Sequence, residues 1–343
     1  MASAADRTGP RAPRIRDVAE RAGVGVGTVS RVLNDAPGVA AATRKHVRAV
    51  MDELGYRPSS TARNLSLGRT LTLGVVAPFF TSPSIVERLR GIDDIVGNSA
   101  YDLTLFNIET LEQRRDAMRR FARRTRVDGV MVISLPLTAG EVRVLQRDRL
   151  PGVCIDVANS PLPFVAIDDV EGGTLATRHL LEAGHTRVAF VGDVKDVAFG
   201  FASSERRLEG FRRALDAAGV ALPASYVKRG PFGRESAGRL ARQLMALRRR
   251  PTAVFAASDV QAFGVLDAAA RAGLAVPDDL SVIGFDDIEL AAAIGLTTVR
   301  QPLRESGQLG ARMLLGEIEA RPHAGEPLPE LAVVSRRTVG PPG

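Results

Sequence analysis

Two hydrophobic periodicities divide this chain near residue 70. Before that point, apolar residues recur every three or four positions, as they do along one face of a short helix. After it, short apolar runs alternate with about 20 to 30 residues of amphipathic pattern, which is typical of a parallel sheet covered by helices on both faces. The pattern predicts a helical N-terminal unit followed by an α/β core.

The N-terminal pattern predicts three short helices that need one another's apolar faces. Their expected ranges are 14–22, 26–34 and 41–54. The turn Gly23-Val24-Gly25 separates the first two, and Gly55 ends the third. The second helix buries Val29, Val32 and Leu33 and turns hydrogen-bonding groups outward. This is the helix-turn-helix arrangement, in which the second helix enters the major groove of DNA.

Charge supports the same interpretation without settling it. The whole chain carries a net charge of +7, and residues 1–70 hold 12 Lys and Arg against 6 Asp and Glu. A basic excess at one end indicates nucleic-acid binding or a merely solvated face. The spacing of Gly23, Gly25 and Gly27 could also suggest a dinucleotide loop, but such a loop follows a buried strand, and here a helix precedes the glycines.

Several segments together resemble the lactose-repressor (LacI/GalR) family of bacterial transcriptional regulators. The matching segments are Asp17–Val24 (DVAERAGV), Thr28–Asn34 (TVSRVLN), Leu54–Pro58 (LGYRP), Gly284–Asp287 (GFDD) and Thr297–Pro302 (TTVRQP). The resemblance extends over nearly the whole chain, from Ile15 to Val339. It implies a helix-turn-helix head, a hinge helix and a two-lobed periplasmic-binding-protein-like core of parallel sheets.

The resemblance also implies which residues contact DNA. Val26 and Gly27 occupy the base-reading start of the recognition helix, and Leu65 would wedge into the minor groove and kink the duplex. The full expected set is Arg16, Val26, Gly27, Thr28, Ser30, Arg31, Asn34, Ala62, Arg63 and Leu65. Two usual serine caps are replaced, one by Gly25 and one by Ala40, so the head should be less stable than is common.

In the core, eight strands are expected, four on each side of Asp168. They are 71–77, 103–106, 130–133, 153–155, 188–191, 227–228, 253–256 and 281–284. A last strand is expected over 331–339. The chain should cross between the lobes near Asp168, Gln301 and Pro322. The expected domains are a disordered tail (1–13), the head (14–58), the hinge (59–69) and a core (70–343), with lobe 1 at 70–167 and 302–321 and lobe 2 at 168–301 and 322–343.

Ligands of open parallel sheets collect beyond the carboxyl ends of the strands, so the residues there are candidates for an effector site. Carboxylates, hydroxyls and an aromatic wall suit a polyhydroxylated ligand, such as a sugar or a related metabolite. Position and resemblance together select Phe79, Ser134, Asp156, Arg207, Phe232, Ser258 and Asp286. Any one of these could instead cap a helix or pair with a surface charge. The segment 78–84 departs from the family pattern, which leaves open whether Phe79 or Phe80 contacts the ligand.

Enzyme signatures are absent: there is no Ser/His/acid order, Walker loop or His-rich metal spacing. His185 and the pairs Asp168-Asp169 and Asp286-Asp287 are interpreted as structural, and Cys154 as a small buried apolar residue. No cofactor or metal is expected. No apolar stretch suggests a membrane helix or a secretion signal, so a cytoplasmic protein is expected.

The sequence therefore predicts a homodimeric regulator, most simply a repressor, that binds a palindromic double-stranded operator and responds to a small-molecule effector in the cleft between its lobes. Two alternatives share the core: a sugar-binding transport protein and an α/β enzyme acting on a sugar phosphate. Neither accounts for residues 14–66.

Overall fold

The computed structural model describes residues 13–33, 35–57, 69–121, 126–194, 199–321 and 327–343. The chain forms two compact units, Met1–Leu71 and Thr72–Gly343. We call the first unit the head and the second unit the core.

The head contains the three short helices that the periodicity predicts. They are α1 (Ile15–Arg21), α2 (Val26–Leu33) and α3 (Ala41–Glu53). Val18 of α1, Val29 and Val32 of α2 and Val47 and Val50 of α3 are buried in one shared cluster. Because each helix is too short to be stable alone, this cluster holds the head together.

The first lobe of the core is built on a five-stranded parallel sheet in the order β2-β1-β3-β4-β5. Its strands are β1 (Thr72–Pro78), β2 (Asp102–Ile108), β3 (Gly129–Ile133), β4 (Gly152–Ile155) and β5 (Phe164–Val165). Its helices are α4 (Pro83–Val96), α5 (Leu111–Phe121), α6 (Ala139–Arg147) and α12 (Leu303–Ile318).

The second lobe is built on a six-stranded sheet in the order β11-β10-β9-β8-β6-β7. Its strands are β6 (Val188–Asp193), β7 (Val227–Gly230), β8 (Ala253–Ala256), β9 (Ser281–Asp286), β10 (Thr297–Arg300) and β11 (Ala332–Val334). Its helices are α7 (Asp169–Glu182), α8 (Ser203–Ala217), α9 (Arg234–Met245), α10 (Asp259–Arg271) and the short α11 (Glu289–Ala293), with a 3-10 turn at Ala224–Tyr226.

Both sheets are covered on both faces, which explains their uninterrupted apolar strands. In β3, Met131 and Ile133 pack into the cluster under α4 and α12, whereas Val130 and Val132 pack into the opposite cluster. The strands of the second lobe alternate in the same way between two clusters. Because successive side chains of a strand point to opposite faces, each strand contributes to two cores.

The chain crosses between the lobes after β5, so that α7 joins the second lobe, and again after β10, where Gln301 and Pro302 lead into α12 of the first lobe. It returns between α12 and β11; the expected crossing at Pro322 and the tail 1–12 lie outside the described residues. These crossings place both sets of strand ends around one cleft.

Three strand predictions were wrong. The expected count missed β5 and β10, and the last strand is confined to Ala332–Val334 rather than extending through 331–339. β11 also pairs antiparallel with β10, so the second sheet is not purely parallel. β5 has only two residues, too few for an alternating pattern to be recognised.

Three structural interpretations are confirmed. His185 is buried, and its two ring nitrogens lie 3.0 Å from Thr252 Oγ1 and 2.9 Å from the Gly340 carbonyl oxygen. Cys154 is buried, and burial raises the pKa of its thiol. Asp168 caps α7 by accepting from the N–H groups of Val170 and Glu171. In the part of the chain that the structure describes, no helix is long and apolar enough to span a membrane.

Candidate functional site

The outer surface of α2 carries the residues predicted to read DNA. Val26 is 42% exposed, and Gly27 and Arg31 are also exposed, while Thr28 and Ser30 are half-buried at the edge of the same face. Val29 and Val32 point into the hydrophobic cluster of the head. The helix therefore presents this face to solvent without disturbing the head's packing.

Arginines of the head fall into two groups. Arg21 pairs with Glu53, and both Arg44 and Arg48 pair with Asp35 at 2.8 and 2.7 Å. Arg16 and Arg31, by contrast, are exposed and form no ion pair with any described residue. Arginines that form no ion pair within the described part of the chain suit contacts with phosphates or guanine edges.

Four other predicted DNA contacts, Asn34, Ala62, Arg63 and Leu65, lie outside the described residues. Ala40 occupies the N-cap position immediately before α3, and its side chain makes no capping hydrogen bond. Helix α1 is capped differently: the Arg14 backbone N–H donates to Asp17 Oδ2 at 2.6 Å.

In the core, one cleft between the two lobes is lined by all seven residues of the predicted effector site. The space that it encloses, part of it open to solvent, is about 910 Å³. Lobe 1 contributes Phe79 after β1, Ser134 after β3 and Asp156 after β4. Lobe 2 contributes Arg207 of α8, Phe232 after β7, Ser258 after β8 and Asp286 at the end of β9.

Four of these residues have left-handed backbone conformations. The φ angles are 45° at Phe79, 52° at Ser134, 63° at Asp156 and 126° at Asp286. Positive φ is unfavourable for residues with a Cβ, and such strain concentrates at ligand-binding sites. Here it turns the chain sharply at the strand ends that line the cleft.

A continuous series of polar contacts runs across the cleft floor from one lobe to the other. Its links are Ser134 Oγ to Asp156 Oδ2 (2.6 Å), Asp156 Oδ1 to Arg88 Nη2 (2.9 Å), Arg88 Nη2 to Gln301 Oε1 (3.1 Å), Gln301 Nε2 to Asp286 Oδ1 (2.5 Å), Asp286 Oδ1 to Arg207 Nη1 (3.9 Å) and Arg207 Nε to Asp169 Oδ1 (2.9 Å). Gln301, at a crossing between the lobes, joins the two halves.

Arg207 is held on every side. It is 6% exposed, donates from Nη1 to the Ala257 carbonyl oxygen at 2.6 Å, and lies 3.7 Å from the centre of the Phe285 ring. Burial alone would lower its pKa, but Asp169, Asp286 and Asp156 outweigh burial and raise it. The guanidinium is therefore a permanent, fixed donor.

The pKa values of the lobe 2 carboxylates are also raised, which favours their neutral form. Burial raises the pKa of Asp286 to about 6, even though Arg207 and Gln301 act against the shift. Burial also raises the pKa of Asp193, which accepts from Gln261 Nε2 at 3.0 Å. Asp259, behind the cleft, has a raised pKa from burial and from the nearby Asp286. The cleft holds more carboxylate than cation, and this charge balance disfavours anionic ligands.

The structure separates residues that the sequence had grouped. Asp287 lies next to Asp286 but pairs with Arg300 and Arg336 at 2.7 and 2.6 Å, so Asp287 is structural, as interpreted from the sequence, whereas Asp286 lines the cleft. Ser258 does both tasks, since it lines the cleft and also caps α10 by accepting from the Gln261 N–H. Phe79 lines the cleft, whereas the Phe80 N–H donates to Asn107 Oδ1.

Several cleft residues were missed from the sequence: Arg88, Phe201, Ser204 and Gln301. Gln301 lies in the matched segment Thr297–Pro302. Asp193 also lines the cleft and, because it follows a predicted strand, is selected by the strand-end rule. Arg88 had a subtler signal, because it falls on the apolar stripe of α4 that Ile85 and Ile92 define. Among the described residues, no three His, Cys, Asp or Glu side chains are grouped to hold a metal ion.

A three-helix head with an exposed recognition surface and a two-lobed core with a polar cleft define a ligand-responsive DNA-binding regulator. Residues 14–59 match the family model described as bacterial regulatory proteins, lacI family, and residues 177–339 match the periplasmic binding protein-like domain. The chain belongs to the LacI family, as its relatives show.

Two curated relatives are 36% identical to this chain. The HTH-type transcriptional repressor PurR of Photobacterium profundum aligns over 315 residues, 90% of this chain and 93% of its own length. The ribose operon repressor of Escherichia coli aligns over 309 residues, 89% and 92%. These relatives are transcriptional repressors, a non-enzymatic family, so the chain is not an enzyme.

Two solved structures share the fold. The lac repressor dimer bound to operator and an anti-inducer has a TM-score of 0.82 at 27% identity, covering 96% of this chain and 100% of that one. A complex of the transcriptional regulator CelR with cellobiose has a TM-score of 0.70 at 30% identity, covering 95% and 99%. The predicted fold class, helix-turn-helix head and two-lobed α/β core, is confirmed.

Proposed function

We propose that this protein is a repressor that binds a palindromic operator as a homodimer and is controlled by a neutral, hydroxyl-rich small molecule in the interlobe cleft. The observation that carries the proposal is that both cleft arginines are already paired with carboxylates. Asp156 already compensates the charge of Arg88, and Asp169 that of Arg207, so a phosphate or carboxylate ligand would gain little from either guanidinium. A sugar needs no uncompensated cation.

The remaining cleft groups fit a sugar. Carboxylates and hydroxyls accept and donate to ligand hydroxyls, and the exposed rings of Phe79 and Phe232 offer flat apolar surfaces for a C–H face. The cellobiose bound by the related CelR structure supports this chemical class. Effector binding would then couple reciprocally to operator affinity, because the ligand contacts both lobes.

For DNA, we propose that α2 enters the major groove, with Arg31, Thr28 and Ser30 as its polar contacts. Val26 and Gly27 contribute only an apolar contact, such as one to a thymine methyl. Leu65 of the predicted hinge would contribute specificity through the sequence-dependent cost of kinking the DNA, not through hydrogen bonds to base edges. Because its target is DNA, the protein would act in the cytoplasm. The domain limits given above, with the head at 14–58 and the hinge at 59–69, remain part of this proposal.

The test begins by selecting duplexes from a random library with the full-length protein. Fluorescence anisotropy then measures operator affinity in the presence of D-ribose, D-glucose, D-galactose, cellobiose, ribose phosphate and adenosine. We expect one neutral sugar to change operator affinity at least about tenfold. A response only to ribose phosphate, or no selected sequence at all, would contradict the proposal.

Matched variants assign the two sites. Arg31→Ala should weaken operator binding and reduce its salt dependence. Arg48→Ala removes one positive charge as well, but Arg48 is already paired with Asp35, so operator affinity should change little. Arg207→Lys should weaken the sugar response while operator binding persists. Leu65→Ala should reduce specific binding far more than non-specific binding, and equal losses would contradict the hinge assignment.

A further inference from the structure

Arg88 is an arginine on the buried face of a helix. It lies on α4 between Ile85 and Ile92, both of which are buried in the lobe 1 core. Its own side chain is only 3% exposed, yet it lines the cleft. Removing a guanidinium from water is costly unless its donors are satisfied. The question is therefore which acceptors satisfy the donors of Arg88.

Those contacts leave the guanidinium incompletely satisfied. Nη2 lies 2.9 Å from Asp156 Oδ1 and 3.1 Å from Gln301 Oε1, and Nη1 donates to the Ser84 carbonyl oxygen at a long 3.4 Å. The buried Nε–H has no hydrogen-bond partner among the residues that the structure describes. A buried donor without a partner is unfavourable, so an acceptor that enters the cleft gains affinity by supplying one.

The placement of Arg88 mirrors that of Arg207. In lobe 1 a guanidinium stands beside Asp156, and in lobe 2 a guanidinium stands beside Asp286. A guanidinium beside a carboxylate can form two hydrogen bonds with one ligand hydroxyl. The hydroxyl oxygen accepts from the guanidinium, and the hydroxyl proton is donated to the carboxylate. Two such pairs on opposite walls could fix a polyhydroxylated ring in one orientation.

We infer that Arg88 is a direct effector contact, which donates from the lobe 1 wall to an oxygen of the bound molecule and selects among ligands by the position of that oxygen. The inference rests on the proposed function, because it places Arg88 in the effector site. It differs from a purely structural role, in which Arg88 would only hold Asp156 in place.

The test compares three full-length variants by isothermal titration with the panel of sugars, ribose phosphate and adenosine. Arg88→Met removes the donors but keeps much of the side-chain volume, and Arg88→Lys keeps the charge but not the Nε–H. Arg90→Met is the matched control, since Arg90 lies on the same helix but is exposed and pairs with Glu87. For the tightest-binding panel member, we expect Arg88→Met to raise Kd about ten- to a hundredfold, Arg88→Lys to raise it less, and Arg90→Met to leave it unchanged.

Monodeoxy analogues of that compound distinguish a direct contact of Arg88 with the ligand from a role in which Arg88 only holds Asp156 in place. If Arg88 touches one oxygen, deleting that hydroxyl should weaken binding to the wild type but not further weaken binding to Arg88→Met. Equal Kd values for Arg88→Met and Arg90→Met, or losses that simply add for every deoxy analogue, would overturn the inference. A panel in which nothing binds the wild type would overturn it as well.

The same data keep this inference distinct from the proposed function. If the tightest binder is ribose phosphate, the proposal of a neutral effector fails, while Arg88 is still tested with that compound. If a neutral sugar binds and Arg88→Met binds it normally, the proposed function stands and the inference about Arg88 fails.

Discussion

Arg207 Nε and Asp169 Oδ1 lie 2.9 Å apart, and both side chains are almost fully withdrawn from water. A buried ion pair of this kind is costly to break, because removing one partner leaves the other charged and unsatisfied. Replacing either residue alone should therefore destabilise the fold and disturb the lobe 2 wall of the cleft.

The first prediction follows from this pair. Arg207→Met should lower the free energy of unfolding by about 3–5 kcal/mol, and adding Asp169→Asn should recover part of that loss because the unpaired charge is removed. Urea denaturation of the core measures both. Arg213→Met, which breaks an exposed pair with Glu209 on the same helix, should cost about 0.5 kcal/mol or less. Comparable losses for both arginines would show that burial does not decide the effect.

Much of the cleft could be predicted because its residues follow a positional rule. Ser134 and Asp156 come directly after buried strands, and the carboxyl ends of parallel strands meet at one edge. Their position at strand ends was enough to select them, without knowledge of their contacts. The family resemblance then identified Arg207 and Phe232, and Arg207 lies within a helix, where no strand end would have selected it.

Arg88 and Gln301 escaped for different physical reasons. Gln301 acts through a contact between the lobes, to Arg88 on one side and Asp286 on the other, and sequence separation hides such contacts. Arg88 is mid-helix, where an arginine is ordinarily solvated. Only its place in the apolar stripe of α4 distinguishes it, and a helix pattern does not reveal the buried carboxylate that compensates its charge.

The second prediction concerns the missing cap of α3. Ala40 has φ −57° and ψ 142°, an extended conformation in which a serine hydroxyl could accept from the first-turn N–H groups. Ala40→Ser should stabilise the helix by about 0.5–2 kcal/mol and slow hydrogen exchange in its first turn. Ala42→Ser, inside the same turn, should instead be neutral or slightly destabilising. Equal protection in both variants would contradict the capping argument.

The third prediction tests how α4 is held. A Cβ at Gly307 of α12 would lie 2.1 Å from the Arg88 carbonyl oxygen, so the two helices must separate to admit it. Gly307→Ala should destabilise the core by about 1–3 kcal/mol or more. Because Arg88 moves with α4, sugar affinity should fall as well.

Gly310→Ala is the control for that substitution. Its Cβ would meet the end of the Ile155 side chain, which can shift more easily than backbone. Thermal unfolding and titration calorimetry should therefore show a smaller effect on both stability and ligand affinity. A Gly307→Ala protein that is as stable as Gly310→Ala would mean that the close approach of the two helices is not essential.

The last prediction concerns pH. Because the pKa of Asp286 is raised from 3.8 to about 6, the folded protein retains between pH 4 and 6 a proton that the unfolded chain has released. Stability of the ligand-free protein should fall as pH rises through this window, by an amount on the order of 2–3 kcal/mol from this group. Asp286→Asn should flatten the decline in urea denaturation midpoints. Asp267→Asn should remove a contribution of opposite sign, since Arg234 lowers the pKa of Asp267.

Ligand binding gives the same titration a second readout. Sugar hydroxyls that donate to Asp286 favour its ionised form, so binding should lower its pKa, release protons near pH 6 and strengthen as pH rises from 5 to about 7. Calorimetry in buffers of different ionisation enthalpy counts the released protons. Asp286→Asn should abolish that release if Asp286 is its source, whereas unchanged proton release in this variant would assign it to another carboxylate, such as Asp193, whose pKa burial also raises.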